Sequence, residues 1–136
     1  MTIRIREIDH VVLRIRDLPR ALSFYRDILG CQIERELKGR GLTQLRAGSS
    51  LIDLVEIDSE LGRKLGAGPS VEGRNMDHLC LRVEPFNASA ILTLLRQHGY
   101  TPDDVATRYG AEGNGPSIYV NDPDGNTIEL KGPSLP

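Results

Sequence analysis

Two histidines, His10 and His78, and two carboxylates, Asp53 and Glu129, occupy equivalent places in two copies of one pattern. Ile8-Asp9-His10-Val11-Val12-Leu13-Arg14-Ile15 returns 68 residues later as Met76-Asp77-His78-Leu79-Cys80-Leu81-Arg82-Val83. Each copy then closes on an acid within an apolar run, Leu51-Ile52-Asp53-Leu54 and Thr127-Ile128-Glu129-Leu130. Neutral imidazoles and carboxylates are donors suited to Mn²⁺, Fe²⁺, Co²⁺, Ni²⁺ or Zn²⁺. Three or four such donors on an octahedral ion leave positions for water or substrate, which marks a catalytic or chelating centre rather than a structural one. A lone strand histidine is ordinarily a hydrogen-bonded core or surface residue. Duplication in register with a carboxylate singles these two out, and the pattern reads as a metal site on a pseudo-two-fold axis.

The elements that must position these groups follow from spacing. Asp17 is a good N-cap, Pro19 falls in the first turn, and Ala21, Leu22, Tyr25, Ile28 and Leu29 recur at helical intervals up to Gly30. This predicts an amphipathic helix of about three turns. Strand-like runs follow at roughly 32–37, 42–47 and 50–57, separated by Gly39, Gly41 and Gly48. The first unit is therefore βαβββ. The second repeats the order, with a strand over 76–84 and a helix from about Ala88, capped by Asn87 and ended by Gly99. The strands at Ser117–Val120 and Thr127–Lys131 are joined by the turn formers Asn121-Asp122-Pro123-Asp124-Gly125-Asn126. Domain organisation is thus one domain over 1–136: module one at 1–57, a linker at 58–75 and module two at 76–136. The carboxylates are 76 residues apart against 68 for the histidines, so the second module carries about eight extra residues. They are placed in the polar stretch Arg108–Pro116, a candidate substrate loop.

Strand alternation sets which side chains share a face. Val12 and Arg14 fall beside His10, Cys80 and Arg82 beside His78, and Glu56 away from Asp53. Two inward arginines would favour an anion held by forked hydrogen bonds, unless they snorkel or pair with neighbouring acids. Cys80 reads as a small packing residue and His98, ahead of Gly99, as a helix-end cap.

Bulk properties exclude other classes of function. A formal charge of −2 with 26% charged residues and no block of one sign argues against a nucleic-acid or anionic-membrane partner. No apolar run approaches the length of a membrane span and no signal-peptide core is apparent, so the chain reads as cytoplasmic. Cys31 and Cys80 have no CxxC spacing.

The segments IDHVVLRIRDLPRALSFYRDILG, MDHLCLRV and SIYVNDPDGNTIEL resemble the vicinal oxygen chelate superfamily of glyoxalases, bleomycin-resistance proteins and dioxygenases. That superfamily groups glyoxalase I, fosfomycin-resistance enzymes, methylmalonyl-CoA epimerase, extradiol dioxygenases and bleomycin-binding proteins. The stretch RYGAEGNGPSIYVNDPDGN looks closest to its small glyoxalase-domain proteins. The resemblance implies an α+β fold of two paired βαβββ modules forming a curved eight-stranded mixed sheet cup, usually completed in a homodimer. His10, His78 and Glu129 match the metal ligands, and Asp53 stands at the place of a fourth. Aspartate is one methylene shorter than the family's glutamate, so it ligates directly, binds through a water, or acts as a base beside the ion.

The implied function is a metal-dependent lyase or isomerase acting on a small oxygen-bearing anion, with a metal-stabilised enediolate or alkoxide and Asp53 or Glu129 as the base. Arg14, Arg82, Ser117 and Tyr119 are the substrate-binding candidates. One alternative is fosfomycin-type addition of thiol or water to an epoxide, supported by Ser117 and Tyr119 but opposed by Val12 where those enzymes have threonine. Glyoxalase I is an imperfect match as well, since Ile57 replaces the asparagine expected after the first-module acid. Another alternative is antibiotic sequestration without metal chemistry, which would leave the histidines and Glu129 unexplained. An extradiol dioxygenase of this superfamily commonly needs four modules, twice what the chain supplies.

Overall fold

A computed structural model describes residues 1–136. Two compact units, Met1–Pro69 and Ser70–Pro136, each hold one four-stranded mixed sheet. The fold is α+β, built from two βαβββ modules, as expected.

In the first unit, β1 (His10–Ile15) pairs in parallel with β4 (Ser50–Glu56). β3 (Leu42–Ala47) pairs antiparallel with β4, and β2 (Ile33–Leu37) lies on the far edge. Parallel neighbours require a crossover, supplied by α1 (Leu18–Leu22), whose N-cap Asp17 accepts from the Arg20 amide. The helix does not continue as one regular α-helix to Leu29: Ser23–Ile28 is π-helical, with Leu29 N–H bonded to the Phe24 carbonyl. The wider turn accompanies full burial of two consecutive aromatics, Phe24 and Tyr25, packed edge to face. Periodicity at 3.6 residues carries no sign of this, because both helix types present an apolar stripe. Leu13 and Ile15 of β1, Leu45 of β3, and Ile52 and Leu54 of β4 complete this side of the core.

Gly41, with φ +77°, reverses the chain into β3. A Cβ there would lie 2.0 Å from the Ser59 Cβ, so close approach as well as φ requires glycine. Ser59 caps the short helix α2 (Glu60–Arg63) within the stretch read as linker, and residues up to Pro69 belong to the first unit.

The second unit runs β5 (Leu79–Arg82), α3 (Ala88–Gln97), β6 (Ala106–Gly110), β7 (Gly113–Asn121) and β8 (Thr127–Lys131). Its strand order is β5-β8-β7-β6, the same as in the first unit. Asn87 caps α3 through the Ala90 amide, and the His98 ring bonds the Leu94 carbonyl at the other end, as expected of a helix-end cap. Leu95 is buried, as are Ile118, Val120, Ile128 and Leu130 on one face of the sheet. The stretch Arg108–Pro116 is not a loop. It forms the tip of the β6–β7 hairpin, closed at Gly110 and Gly113. Its strands escape sequence patterning because glycine and polar residues replace the apolar alternation that marks a half-buried strand. No helix is long and apolar enough to cross a membrane.

Candidate metal centre

Each sheet has an apolar face and a face that carries the duplicated groups. In the first unit Val12 is directly opposite Asp53, and Asp53 opposite Gln44. Cross-strand partners share a face, so Asp53 lies on the side of His10, Val12 and Arg14 while Leu13 and Leu54 fill the core. Glu56 falls on the other side, and β4 pairs without a bulge.

Asp53 is only 4% exposed. Its Oδ2 accepts from Gln44 Nε2 at 3.0 Å, whereas its Oδ1 is buried with no hydrogen-bond partner. A buried acceptor left unmade costs about 1–3 kcal/mol, so this oxygen calls for a partner from outside the protein. His10 senses the same charge: its pKa is raised first by the hydrogen bond with Asp9 and then by Asp53.

The second unit repeats the pair, there in contact. Glu129, 5% exposed, is flanked across the sheet by Cys80 and Tyr119. Its Oε1 lies 3.4 Å from His78 Nε2, and the His78 ring meets Tyr119 edge to face at 5.5 Å. Burial and then the Glu129 charge push the Tyr119 hydroxyl pKa up. The same two causes, in that order, push the Cys80 thiol up to about 11, which keeps it protonated and unsuited to act as a nucleophile or thiolate ligand.

One further feature is duplicated. His10 Nδ1 lies 2.7 Å from Asp9 Oδ2, and His78 Nδ1 lies 2.6 Å from Asp77 Oδ2. A carboxylate at Nδ1 holds the proton on that nitrogen and leaves Nε2 as the donor, the outer-shell arrangement typical of metal-bound histidine. The signal was present in sequence as Asp-His in both copies.

These observations fit a divalent cation: two Nε2 donors oriented by carboxylates, a buried orphan oxygen on Asp53, and Glu129 against His78. Within either unit the donors come as pairs, and no three His, Cys, Asp or Glu side chains gather into a cluster.

The expected substrate residues fare differently. The Arg14 guanidinium donates to the carbonyls of Leu65, Gly66 and Ala67 at 2.9–3.2 Å. Arg82 donates to Glu112 at 2.5 Å and lies 3.7 Å from Glu84. Ser117 is fully buried and its hydroxyl accepts from Arg108 at 2.7 Å. Arg108 also stacks over the Tyr119 ring at 4.1 Å. It is the cation that joins Ser117 to Tyr119, and sequence patterning missed it because its strand was read as a loop.

A fold of two βαβββ units bearing paired histidines and carboxylates defines a class, and comparison with known proteins gives it a name. The chain belongs to the Glyoxalase/Bleomycin resistance protein/Dioxygenase superfamily, whose model matches residues 7–130. It is 29% identical over 133 residues to the mitochondrial methylmalonyl-CoA epimerase of Mus musculus, covering 91% of this chain and 71% of the relative. It is 30% identical over 127 residues to the lactoylglutathione lyase of Salmonella typhimurium, covering 89% and 88%. Among solved structures, a protein from the mobile metagenome of V. Pseudocholerae superposes with a TM-score of 0.77 at 26% identity, covering 99% of this chain and all of that one.

Proposed function

We propose that the protein is a divalent-metal-dependent lyase or isomerase of the glyoxalase type, acting on a small oxygen-bearing anion. The observation that carries this reading is the orphaned, buried Oδ1 of Asp53, in a chain whose other module presents a matching His–carboxylate pair. His10, Asp53, His78 and Glu129 are the residues that would hold the ion. When bound, a divalent ion supplies Lewis-acid polarisation of two adjacent substrate oxygens.

The chain's own residues supply the rest. The base is Asp53, or Glu129 when it is displaced from its place as a ligand; both carboxylates are about 5% exposed, away from bulk water. Tyr119 and Cys80, both protonated at neutral pH, are hydrogen donors to Glu129 rather than competing bases. Asp77 holds the His78 ring, so that Nε2 keeps its lone pair. Lactoylglutathione lyase and methylmalonyl-CoA epimerase are relatives whose names indicate acids or thioesters of this kind, and they support the substrate class.

The test is exchange of the α-proton of 2-oxo acids, lactate-type acids and dihydroxyacetone phosphate into heavy water, read by NMR on metal-loaded protein. Exchange with at least one class is expected, abolished by chelator and lost in Glu129→Gln, which removes a residue of the ion-holding set. Tight binding of these anions without exchange would instead support a sequestering protein.

We infer a homodimer as the working assembly. The amino-terminal Ile3, Ile5 and Ile8 are each more than three-quarters exposed, apolar surface that a second copy would cover. Sedimentation at micromolar concentration is expected to give a mass above the 15.0 kDa of one chain. A stable monomer contradicts it.

A further inference from the structure

Of the two residues that flank Asp53 across the sheet, only one is polar. Asp53 of β4 stands between Val12 of β1 and Gln44 of β3, and the three side chains form a row on the His10 face. The Val12 side chain can offer no hydrogen bond, whereas the Gln44 amide donates through Nε2 to Asp53 Oδ2 at 3.0 Å. The partner sets the amide's orientation, because its oxygen would repel the carboxylate. Asp53 Oδ1 is buried, and no group of the chain satisfies it.

The two oxygens of a carboxylate are chemically equal, and the last torsion of an aspartate side chain is broad and two-fold. Left alone, the Asp53 carboxylate would turn about that torsion and present either oxygen, or both, to a cation. The bond from Gln44 removes this freedom. It occupies one oxygen and fixes the direction of the other, so the ordering is complete before an ion arrives and binding need not supply it.

The second unit has a donor at the equivalent place. Tyr119 of β7 stands opposite Glu129 as Gln44 of β3 stands opposite Asp53, and the Tyr119 hydroxyl hydrogen-bonds that carboxylate. The third strand of each module thus holds the acid of the fourth. Two different residue types fill one role, which is why the duplication is invisible in the sequence at this position.

We propose that Gln44 is a positioning residue for the metal centre: it holds Asp53 to ligation through Oδ1 alone and so raises the affinity for the ion without being a ligand. This rests on the metal-centre reading.

Metal-free protein is titrated with Mn²⁺, Co²⁺, Ni²⁺ and Zn²⁺ in turn against a competing chelator, and its thermal stability is measured with and without ion. Gln44→Met keeps the length of the side chain without its donor, and it should weaken binding by about 10–100-fold, the usual cost of losing a group that orients a ligand. Asp53→Ala removes the carboxylate altogether. In that background Gln44→Met should change the affinity by about twofold at most, because Gln44 acts through Asp53. The neighbours Thr43 and Leu45 are buried in the core while Gln44 is only half-buried, so the variant should fold. Gln44→Ala replaces it if it does not.

A Gln44 variant with wild-type affinity overturns the proposal, including one that loses the same stability with and without ion, since Gln44 would then only satisfy a buried acid. An equal loss of affinity in the Asp53→Ala background overturns it as well, because Gln44 would be acting by another route. Asp53→Ala that binds as tightly as wild type also overturns it and takes Asp53 out of the ligand set. Failure of the metal reading looks different: wild type itself binds none of the four ions, and the role of Gln44 falls with it.

Discussion

Replacing His78 by alanine is expected to remove most of the bound divalent ion and the thermal stability that comes with it. Binding to the folded state alone adds about 2.7 kcal/mol at a hundredfold excess of free ion over Kd. In a domain of this size that is on the order of 10 °C in Tm. Wild type should therefore show a metal-dependent rise of this order, and His78→Ala should show little or none. The metal-free forms should differ much less, because the His78 side chain is about one-third exposed and fills no core position. Differential scanning calorimetry with and without chelator reads both quantities. A His78→Ala protein that keeps the full metal-dependent rise would remove His78 from the ligand set.

The second large effect concerns Asp53. With Oδ1 buried and unpartnered and Oδ2 held by Gln44, Asp53→Asn should weaken metal affinity by roughly 10–100-fold, with activity recovering at high metal concentration. The metal-free variant should be at least as stable as metal-free wild type, since the substitution removes a buried charge whose oxygen lacks a partner. That opposition, with the metal-free form no weaker and the loaded form weaker, is the signature of a ligand. A general base behaves otherwise: metal content would stay near wild type while turnover fell roughly 10²–10⁴-fold. A variant equal to wild type in metal content, stability and exchange would make Asp53 a structural residue. The sequestering reading would then gain ground.

The strands bearing the duplicated groups were legible because alternation is local. His10, Val12 and Arg14 could be set against Leu13 and Ile15 from spacing alone, and the register of β1 with β4 then puts Asp53 on the histidine side. What escaped was decided by partners far away in the chain. Alternation placed Arg14 and Arg82 on the right face, but a guanidinium at the end of a long stem goes to whichever acceptors surround it. For Arg14 those are carbonyls more than fifty residues on, and for Arg82 a glutamate thirty residues on. The β6 strand was missed because Ala106–Gly110 shows no apolar alternation, and Arg108 went with it. Lys131 reads in sequence as an ordinary charged strand end. In the fold the residue is 4% exposed, its stem lying over Gly110.

His10, Asp53, His78 and Glu129 are proposed to hold a divalent ion. The most direct test is the metal content of wild-type protein after incubation with Mn²⁺, Co²⁺, Ni²⁺ and Zn²⁺ and exhaustive dialysis, measured by elemental analysis. At least one of these ions should be retained at about one per chain, the occupancy expected when each four-donor set holds a single ion. Protein that retains none of the four would contradict the claim.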